Sequence, residues 1–475
     1  MAWRRRELLA RALALAGLLG TLPLRALGAP SVAVRNVTGL YTVEVARVAT
    51  PRTTDDVVQA LAAWPGQVCI GGGRFSMGGQ VGLVGGLHLD MRGMAELLWL
   101  DVPGRQARVQ AGMRWRDLQD HLDPQGLAVK TMQSYANFSI GGAVSVNAHG
   151  RYVGHGPVGH SVRALQLVLA DGRVAECSAA QNPALFAAAI GGYGAVGVIT
   201  EVELDLADNV RIERRYTPLA LTAYAEHFRD HVLADPAAVL HNADLLPPAF
   251  DRPHAVTWRR CGDDKPLTET ARLVPRRQSY AKERHMIRLL TEAPGGTALR
   301  RSVVHPLLNR PAAVQWLNHE ASRDVAELEP HSRAVSTYVL QEYFVPVRHF
   351  LGFARAMAAE LQRAGAQVLN ISIRHSPADR VSALPWAREE VFCFVLYYRQ
   401  GTSAQAQAAV GVWTRALIEL ALKHEGRYYL PYQLHAEPRQ FNAAYPEAAS
   451  LRRLKAEVDP QGRFSNEMWR RYLPA

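Results

Sequence analysis

The sequence contains little cysteine. Among its 475 residues there are only four cysteines, Cys69, Cys177, Cys261 and Cys393, and they are widely separated. No two of them form a CxxC pair and none has a histidine at metal-ligand spacing, which argues against a zinc or iron–sulfur site. Cys69 and Cys393 lie in apolar runs, so we expect buried thiols there. The spacing does not choose among the possible disulfide pairings.

The sequence also lacks the charge pattern of a nucleic-acid-binding protein. The formal net charge is +11, and part of it comes from the arginine-rich first 28 residues. No Lys/Arg tract alternates with aromatic residues, so a solvated basic surface explains the charge and no nucleic-acid partner is expected. With 48% hydrophobic and 20% charged residues the composition is that of a globular protein, and the length predicts two domains.

The apolar run near the N-terminus is too short to span a membrane. Ala12–Leu24 is uncharged, it follows the basic segment Arg4–Leu9, and Ala26–Gly28 offers a small-residue cleavage site. A spanning helix needs about 20 apolar residues. We therefore interpret residues 1–28 as a secretory signal peptide, and a retained membrane anchor is the less favoured alternative.

The arginines of this segment suggest the export route. Arg5-Arg6 resembles the pair of the twin-arginine motif, although Arg4 replaces the Ser or Thr that usually precedes it. An ordinary basic leader is the alternative. The twin-arginine machinery carries folded proteins, so this motif predicts a periplasmic or secreted protein that is exported with its cofactor bound.

Pattern changes along the chain predict an α+β protein. Thr53–Leu61 is typical of a capped helix, Val68–Ile70 of a strand, and Val162–Cys177 of a β-hairpin with a turn at Ala170–Gly172. Later in the chain, longer helical stretches such as Ala404–His424 alternate with β-rich runs. We expect a first domain at residues 34–209, a second at 210–426 and a C-terminal segment at 427–475.

One glycine motif is misleading. Gly192–Gly197 fits the GxGxxG pattern, but a predicted helix, Asn182–Ile190, precedes it and a predicted strand, Val198–Leu206, follows it. A Rossmann site needs a strand before the glycines and a helix after them. The context therefore argues against a nicotinamide site of that type.

Two other glycine segments are better candidates for a phosphate cradle. Gly71–Gly79 follows a predicted strand, and its backbone N–H groups can form a concave anion site. Ser139–Gly150 again allows close backbone approach and contains His149 near its end. Two such loops in one β-rich block suit an elongated dinucleotide better than a lone phosphate.

These segments resemble a known family. Gly71–Gly79, Ser139–Gly150, Ala170–Gly172 and Gly191–Ile199 follow the order of the FAD-binding domain of the vanillyl-alcohol oxidase and p-cresol methylhydroxylase (PCMH) family. The resemblance implies a two-subdomain PCMH-type FAD-binding domain, an α+β substrate (cap) domain, and a C-terminal tail that returns to the flavin. The positions that match the cofactor site are Gly71, Gly72, Gly73, Arg74, Phe75, Ser76, Ser139, Ile140, Gly141, Gly142, Val146, Asn147, His149, Ile199 and Tyr429.

The resemblance also bears on how FAD is held. Many members bond the flavin covalently to a histidine at the position of Phe75, and phenylalanine has no nucleophile. The resemblance thus implies non-covalent FAD. The chain is most similar to the members that oxidise decaprenylphosphoryl-ribose, sugar lactones or alditols, and Ile373-Arg374 matches an Ile-Arg pair of the last two. Where these relatives have a lysine this chain has Tyr432, and where alditol oxidases have a glutamate it has Ser372.

The activity that the resemblance implies is oxidation of an alcohol, sugar, lactone or polyol C–OH group, with hydride transfer to flavin N5 and removal of the hydroxyl proton by a base. The candidate catalytic residues are His149, Tyr432 and Arg374. His149 is the leading base, with a structural histidine as the alternative. Tyr432 either handles the substrate or packs over the cofactor, and Arg374 stabilises charge on the reduced flavin. Glu342 and His375 are weaker candidates.

Two other function classes stay open at this stage. One is a reductase of the same fold that takes electrons from a nicotinamide, and the other is a non-catalytic flavin-binding protein of the cell envelope. The small-molecule substrate is not identified by the sequence. No residue chooses between oxygen, a cytochrome c and a quinone as the electron acceptor.

Overall fold

The computed structural model of the protein describes residues 31–276, 278–280, 312–328, 330 and 332–473. The expected signal peptide, residues 1–28, lies outside them. Within the described residues the strands are β1 (Val32–Arg35), β2 (Thr42–Val45), β3 (Arg47–Ala49), β4 (Val68–Gly71), β5 (Leu87–Asp90), β6 (Leu97–Asp101), β7 (Gln106–Gln110), β8 (Leu127–Val129), β9 (Val162–Val168), β10 (Val174–Ser178), β11 (Val198–Asp208), β12 (Arg211–Pro218), β13 (Ala238–Leu245), β14 (His254–Arg260), β15 (Val314–Trp316), β16 (Ser336–Pro346), β17 (Val368–Ser376), β18 (Val391–Gly401) and β19 (Arg427–Tyr428).

The α-helices connect and cover these strands. Those of the described residues are α1 (Thr54–Ala62), α2 (Trp115–Leu122), α3 (Ile140–Ser145), α4 (Pro183–Ala189), α5 (Tyr224–Phe228), α6 (Leu317–Ala321), α7 (Phe350–Arg363), α8 (Ala404–Lys423), α9 (Pro438–Ala444), α10 (Ala448–Val458) and α11 (Glu467–Tyr472). Mixed helix and strand content confirms the α+β class. No helix in this part of the chain is both long enough and apolar enough to cross a membrane.

The first block of the chain, residues 31–209, contains a two-stranded sheet of β1 and β2 and two larger sheets. In one, β3, β5 and β4 run parallel in that order, and α1 leads into β4. The side chain of Thr53 accepts a hydrogen bond from the Asp56 backbone N–H, and the Asp56 carboxylate accepts one from the Thr53 backbone N–H. This capping box begins α1, the capped helix that the sequence predicts. In the other sheet, β9 and β10 form the predicted hairpin next to β11.

The second block is one large sheet. Its strands lie in the order β15-β12-β14-β13-β17-β18-β16-β19. Successive side chains alternate between its faces. Ile371, Ile373 and Phe394 are buried on one face, where the rings of Phe350 and Phe353 from α7 pack on Phe394. The opposite face is left to form a wall of a cavity.

The C-terminal segment returns to the first block. The Val68 N–H donates a hydrogen bond to the Arg463 carbonyl at 2.6 Å, and Phe464 bridges to Val68. The Trp469 indole donates to the Gly192 carbonyl at 3.2 Å. These contacts tie the chain's end to the glycine-rich segments, which is the return of the tail that the resemblance implies.

Two local features differ from the sequence-based expectations. Ser139–Gly150 is not entirely a loop, because Ile140–Ser145 forms helix α3. Asn182 does stand at the start of α4, but it makes no side-chain cap. Its φ is 50° and its amide donates to the Glu176 carbonyl instead.

The four cysteines are all free, and Cys69, Cys177 and Cys393 are buried.

A buried histidine predicts how stability depends on pH. Arg74 Nη2 donates to His88 Nε2 at 3.1 Å, and burial together with the Arg74 charge lowers the pKa of His88 to about 4 from 6.5. The unfolded chain binds the proton first, so the free energy of unfolding should fall as pH drops through this range. Between pH 6.5 and pH 5, the free energy of unfolding measured with urea should fall by about 1.6 kcal/mol more in the wild type than in His88→Gln.

The exposed His121 on α2 supplies the control for that experiment. The His121→Gln variant should keep the full pH dependence of the wild type. An identical loss of stability in wild type and His88→Gln would contradict the prediction.

Candidate active site

A cavity of about 750 Å³ lies between the glycine-rich segments of the first block and the large sheet. Its volume is in the range of sites that enclose most of a small molecule or cofactor. Fourteen of the predicted site positions line it, and these are Gly72, Gly73, Arg74, Phe75, Ser76, Ser139, Gly141, Gly142, Val146, His149, Ile199, Arg374, Tyr429 and Tyr432. The roles of these residues stay predictions.

Two glycines that line the cavity lie at positions where any side chain would collide with a neighbouring residue. A Cβ atom at Gly72 would clash with the Ser139 hydroxyl, and one at Gly73 would lie 2.8 Å from the Phe75 ring. The Ser139 hydroxyl in turn accepts a hydrogen bond from the Gly73 N–H at 3.0 Å and so joins the two glycine segments. Bare backbone from two glycine segments in the wall of one cavity fits a dinucleotide such as FAD.

Arg74 and Phe75 take different directions from this loop. Arg74 has a φ of 59°, and its guanidinium turns to Asp90, to which Nη2 donates at 2.9 Å. The left-handed conformation at a non-glycine residue is uncommon, and the ion pair helps to hold it. The Phe75 ring lines the cavity and packs on Phe138, with ring centroids 4.5 Å apart. Arg74 therefore stabilises the loop through its ion pair with Asp90, and the Phe75 ring faces the cavity.

Three predicted cofactor residues do not line the cavity. Gly71 ends β4, where the His88 ring occupies the space beside its Cα. Ile140 is fully buried in the protein core. Asn147 donates to Asp379 at 2.9 Å and accepts from the Gly159 N–H at 3.0 Å, so its amide holds neighbouring loops together. These three positions support the cradle from outside.

The structure brings His149 to a buried carboxylate. His149 Nε2 lies 2.5 Å from Glu342 Oε1, and both side chains are almost completely buried. His149 Nδ1 lies 3.3 Å from the Gly150 carbonyl, which can only accept, so the Nδ1 nitrogen carries a hydrogen. The contact with Glu342 is made by the other ring nitrogen, Nε2. A proton can therefore be shared between Nε2 and the Glu342 carboxylate and pass from one to the other.

Tyr432 contacts the same carboxylate. Its hydroxyl donates to Glu342 Oε2 at 3.2 Å. Burial and the adjacent charge of Glu342 raise the pKa of Tyr432 well above its usual value. The hydroxyl thus stays protonated and is a hydrogen-bond donor, which suits a group that orients a neighbour and does not abstract a proton. The two interpretations of Tyr432, handling of the substrate and packing over the cofactor, stay predictions. Tyr429 donates to the Val146 carbonyl at 2.8 Å and closes this end of the cavity.

Arg374 belongs to this part of the wall, and Cys393 is buried beside it. They are opposite each other on β17 and β18. The buried Nε of Arg374 has no hydrogen-bond partner among the described residues, although Arg374 lines the cavity. Burial raises the pKa of the Cys393 thiol well above its usual value. Cys393 is therefore a neutral group beside His149 and Glu342, whose ligand atoms lie within 4.8 Å of it.

The sequence reasoning underrated Glu342 and missed a set of polar residues. On the cavity side of the large sheet, Asn370 Nδ2 donates to Asp244 Oδ1 at 3.2 Å, and Asp244 faces Ser372 across β13 and β17. The alternation of side chains along a strand predicts that these residues share one face of the sheet, but it does not predict that this face borders the cavity. His375, in contrast, points to the other face and lies 2.6 Å from Glu390. We call the polar row of the large sheet the residues Asn242, Asp244, Asn370, Ser372 and Tyr397, all of which line the cavity.

The fold and this cavity together define a flavin-dependent oxidoreductase. Residues 45–178 match the model of a FAD binding domain. Residues 269–472 match the model of D-arabinono-1,4-lactone oxidase. The first match contains both glycine segments of the cradle, and the second contains Glu342, Arg374 and Tyr432.

Individual relatives of the chain are also named as oxidases of sugar lactones or alditols. The chain is 25% identical to the alditol oxidase of a Streptomyces species over 451 residues, 93% of this chain and 99% of that protein. It is 29% identical to mouse L-gulonolactone oxidase over 34% of this chain, and 32% identical to D-arabinono-1,4-lactone oxidase of Yarrowia lipolytica over 26% of it. The last two matches span only 37% and 21% of those relatives.

The chain is a FAD-dependent oxidoreductase that is similar to the sugar-lactone and alditol oxidases, enzymes that act on CH–OH groups. The two family models together cover well over half of the chain. The residues of the cradle fit FAD, because the glycines, Ser139 and Phe75 line a cavity whose volume of about 750 Å³ can hold a cofactor.

The absence of a nucleophile at Phe75 predicts that FAD leaves the denatured protein. The neighbouring Phe138 ring also offers no attachment point. Acid precipitation of the purified yellow protein should leave all of the FAD in the supernatant, measured by its absorbance. A protein band that is fluorescent in a denaturing gel soaked in acid would contradict this prediction.

Proposed function

We propose that the protein oxidises a CH–OH group of a polyhydroxylated small molecule, a sugar, lactone or alditol, with hydride transfer to N5 of non-covalently bound FAD. The observation that carries the proposal is the His149–Glu342 pair, 2.5 Å apart in the wall of the FAD-sized cavity. When bound, FAD supplies the two-electron acceptor. The rest of the chemistry falls to residues of this chain.

The pair is suited to take the hydroxyl proton. Glu342 offers one carboxylate oxygen to His149 and the other to Tyr432. A carboxylate held in this way has a fixed orientation, and the imidazole can carry a proton onward from it. We therefore propose Glu342, together with His149, as the proton acceptor, and Tyr432 as the donor that orients the carboxylate.

Arg374 and the polar row are proposed to bind and orient the substrate. A wall with Asn370, Ser372 and Asp244 offers both donors and acceptors to several hydroxyl groups. The Arg374 guanidinium lies on the same face of the sheet and adds positive charge where negative charge develops during the oxidation. The names of the relatives, which include an alditol oxidase and lactone oxidases, support this substrate class.

An anaerobic screen of the purified holoenzyme tests the proposal. Sugars, lactones and alditols are mixed with the FAD-loaded protein and the flavin absorbance is followed. We expect at least one polyhydroxylated compound to bleach the flavin. A protein that stays oxidised with every compound would instead be a non-catalytic flavin-binding protein.

Export and reoxidation belong to the same proposal. Arg5-Arg6 followed by Ala12–Leu24 supports export to the periplasm or medium by the twin-arginine machinery. Changing both arginines to lysine should stop the export of a reporter fused to this segment.

Among oxygen, cytochrome c and quinone, the names of the relatives as oxidases favour oxygen as the electron acceptor. The formation of hydrogen peroxide during turnover measures this reaction.

A further inference from the structure

An imidazole, a carboxylate and a thiol meet at the wall of the cavity. The ligand atoms of His149, Glu342 and Cys393 all lie within 4.8 Å of one another, and the three side chains are buried. We call these three side chains the trio. Among the described residues no other group of three histidine, cysteine or acidic side chains converges in this way. The proposed chemistry uses His149 and Glu342 and gives Cys393 no role.

The spacing of these atoms suits a tetrahedral metal ion. Zn²⁺ binds sulfur at about 2.3 Å and imidazole nitrogen or carboxylate oxygen at about 2.0 to 2.2 Å, which places two ligand atoms about 3.4 to 3.6 Å apart. His149 Nε2 and Glu342 Oε1 are closer, 2.5 Å apart, which is a distance for sharing a proton. A metal ion in place of that proton requires these two atoms to separate by only about 1 Å.

The hydrogen bonds around the trio hold it as those around a metal site do. His149 Nδ1 lies 3.3 Å from the Gly150 carbonyl, and a metal-binding histidine usually donates its other ring hydrogen to such a carbonyl. Glu342 Oε2 accepts from Tyr432 at 3.2 Å, so Oε1 is the oxygen directed at His149. Three protein ligands leave the fourth position of a tetrahedral ion open. His149 and Glu342 line the cavity, through which an ion can reach them.

The charges at the trio select which cation fits. Arg374 lies opposite Cys393 on the neighbouring strand and lines the cavity, so its guanidinium opposes any net positive charge here. A divalent ion held by the Glu342 carboxylate and the Cys393 thiolate forms a neutral unit. Burial raises the pKa of the Cys393 thiol, and a bound metal ion has to displace the thiol proton to water. Ions with high affinity for sulfur can do so, whereas Mg²⁺ and Ca²⁺ prefer oxygen ligands.

We propose that His149, Glu342 and Cys393 form a binding site for a thiophilic divalent cation, Zn²⁺ or Cd²⁺, which inhibits the proposed oxidation. The bound ion occupies the imidazole nitrogen and the carboxylate oxygen that otherwise take the proton of the substrate hydroxyl. The inhibition rests on the proposed function, whereas the binding of the ion does not. Binding and inhibition are therefore measured separately.

Binding is measured on the FAD-loaded full chain after treatment with EDTA. Calorimetric titration with Zn²⁺ should show about one tightly bound ion per chain, and Cd²⁺ should produce the ultraviolet charge-transfer band of a cadmium–thiolate bond. Cys393→Ser and Glu342→Gln should each weaken the binding of Zn²⁺ at least about 10-fold, because even changes around the ligands of a metal cost about 10- to 100-fold in affinity. The cadmium band should disappear in Cys393→Ser.

Cys177→Ser is the matched control for the cysteine substitution. Cys177 is also a buried, free cysteine on a strand, β10, but it does not belong to the trio. This variant should bind Zn²⁺ with wild-type affinity and keep the cadmium band. The flavin absorbance per protein shows for each variant that the fold and the cofactor are retained.

Inhibition is measured by anaerobic flavin bleaching with a substrate found in the screen. One equivalent of Zn²⁺ should slow bleaching of the wild type and of Cys177→Ser at least about 10-fold, the smallest factor expected from removal of a general base. EDTA should restore the rate, and Mg²⁺ at the same concentration should leave it unchanged. In Cys393→Ser the ratio of the rates without and with Zn²⁺ should fall close to one.

The inference is overturned if the wild type shows no saturable binding of Zn²⁺, or if Cys393→Ser and Glu342→Gln bind Zn²⁺ as tightly as the wild type. Binding that both variants weaken, without any slowing of bleaching, would establish the metal site but contradict its inhibitory effect and the proposed role of the His149–Glu342 pair. If no compound bleaches the flavin, the proposed function fails, and the calorimetric and cadmium measurements still decide whether the trio binds metal.

Discussion

Replacing Glu342 by glutamine should leave a folded, FAD-containing protein whose flavin is reduced by substrate about 100 to 10,000 times more slowly, the range that a positioned general base contributes. Glutamine keeps the size of the side chain, and its amide can still hydrogen-bond to His149 and Tyr432. It cannot accept the proton of a substrate hydroxyl. Stopped-flow measurement of anaerobic flavin bleaching, with a substrate found in the screen, gives the rate.

The chain supplies a matched control for this substitution. His375 and Glu390 form a second histidine–carboxylate pair, 2.6 Å apart, and neither residue lines the cavity. Glu390→Gln should therefore reduce at the wild-type rate. If Glu342→Gln also reduced at the wild-type rate, with full FAD occupancy, Glu342 would not be the proton acceptor, and His149 alone would become the candidate.

Replacing Gly141 by alanine should weaken FAD binding by at least about 10-fold, which corresponds to about 1.4 kcal/mol. The Gly141 N–H donates to the Ala111 carbonyl at 2.7 Å, so α3 lies directly against the residue that follows β7. An added Cβ would lie 2.5 Å from the Ala111 Cβ and 2.9 Å from its carbonyl oxygen. Neither atom can move without shifting backbone, and overpacking of this kind costs about 1 to 3 kcal/mol.

Titration of the apoprotein with FAD, followed by fluorescence quenching, measures this affinity, and thermal unfolding of the holoprotein should occur at a lower temperature. Gly66→Ala is the control, since a Cβ at Gly66 would meet only the Trp64 side chain, at 3.0 Å. Wild-type affinity and thermal stability in Gly141→Ala would mean that α3 does not have to approach the strand so closely.

Much of the cofactor half was predictable from local sequence. Thr53 and Asp56 determine where α1 begins through contacts three residues apart, and the hairpin of β9 and β10 follows from a short turn between two apolar runs. The glycine segments are also predictable from local sequence, because a position at which another chain or a ligand approaches the backbone closely needs glycine itself. Helix α3 escaped this reading, since Gly141 and Gly142 are poor helix formers and tertiary contacts hold them in the helix.

The catalytic half was less accessible to sequence reasoning. His149 and Tyr432 were singled out, but their partner Glu342 had no distinguishing local pattern on its strand. Glu342 lies 193 residues from His149 along the chain, and only the position of the large sheet against the first block makes them neighbours. The same holds for Glu320 and Arg151, which are 169 residues apart.

The sequence by itself determined the flavin-binding character of the protein and, through Phe75, the absence of a histidyl attachment. Those properties depend on which atoms a single position does or does not offer. The tertiary structure alone decided which acids and bases meet. A strand's alternation assigns a side chain to one face of a sheet, but its partner across the cavity depends on how distant parts of the chain pack together.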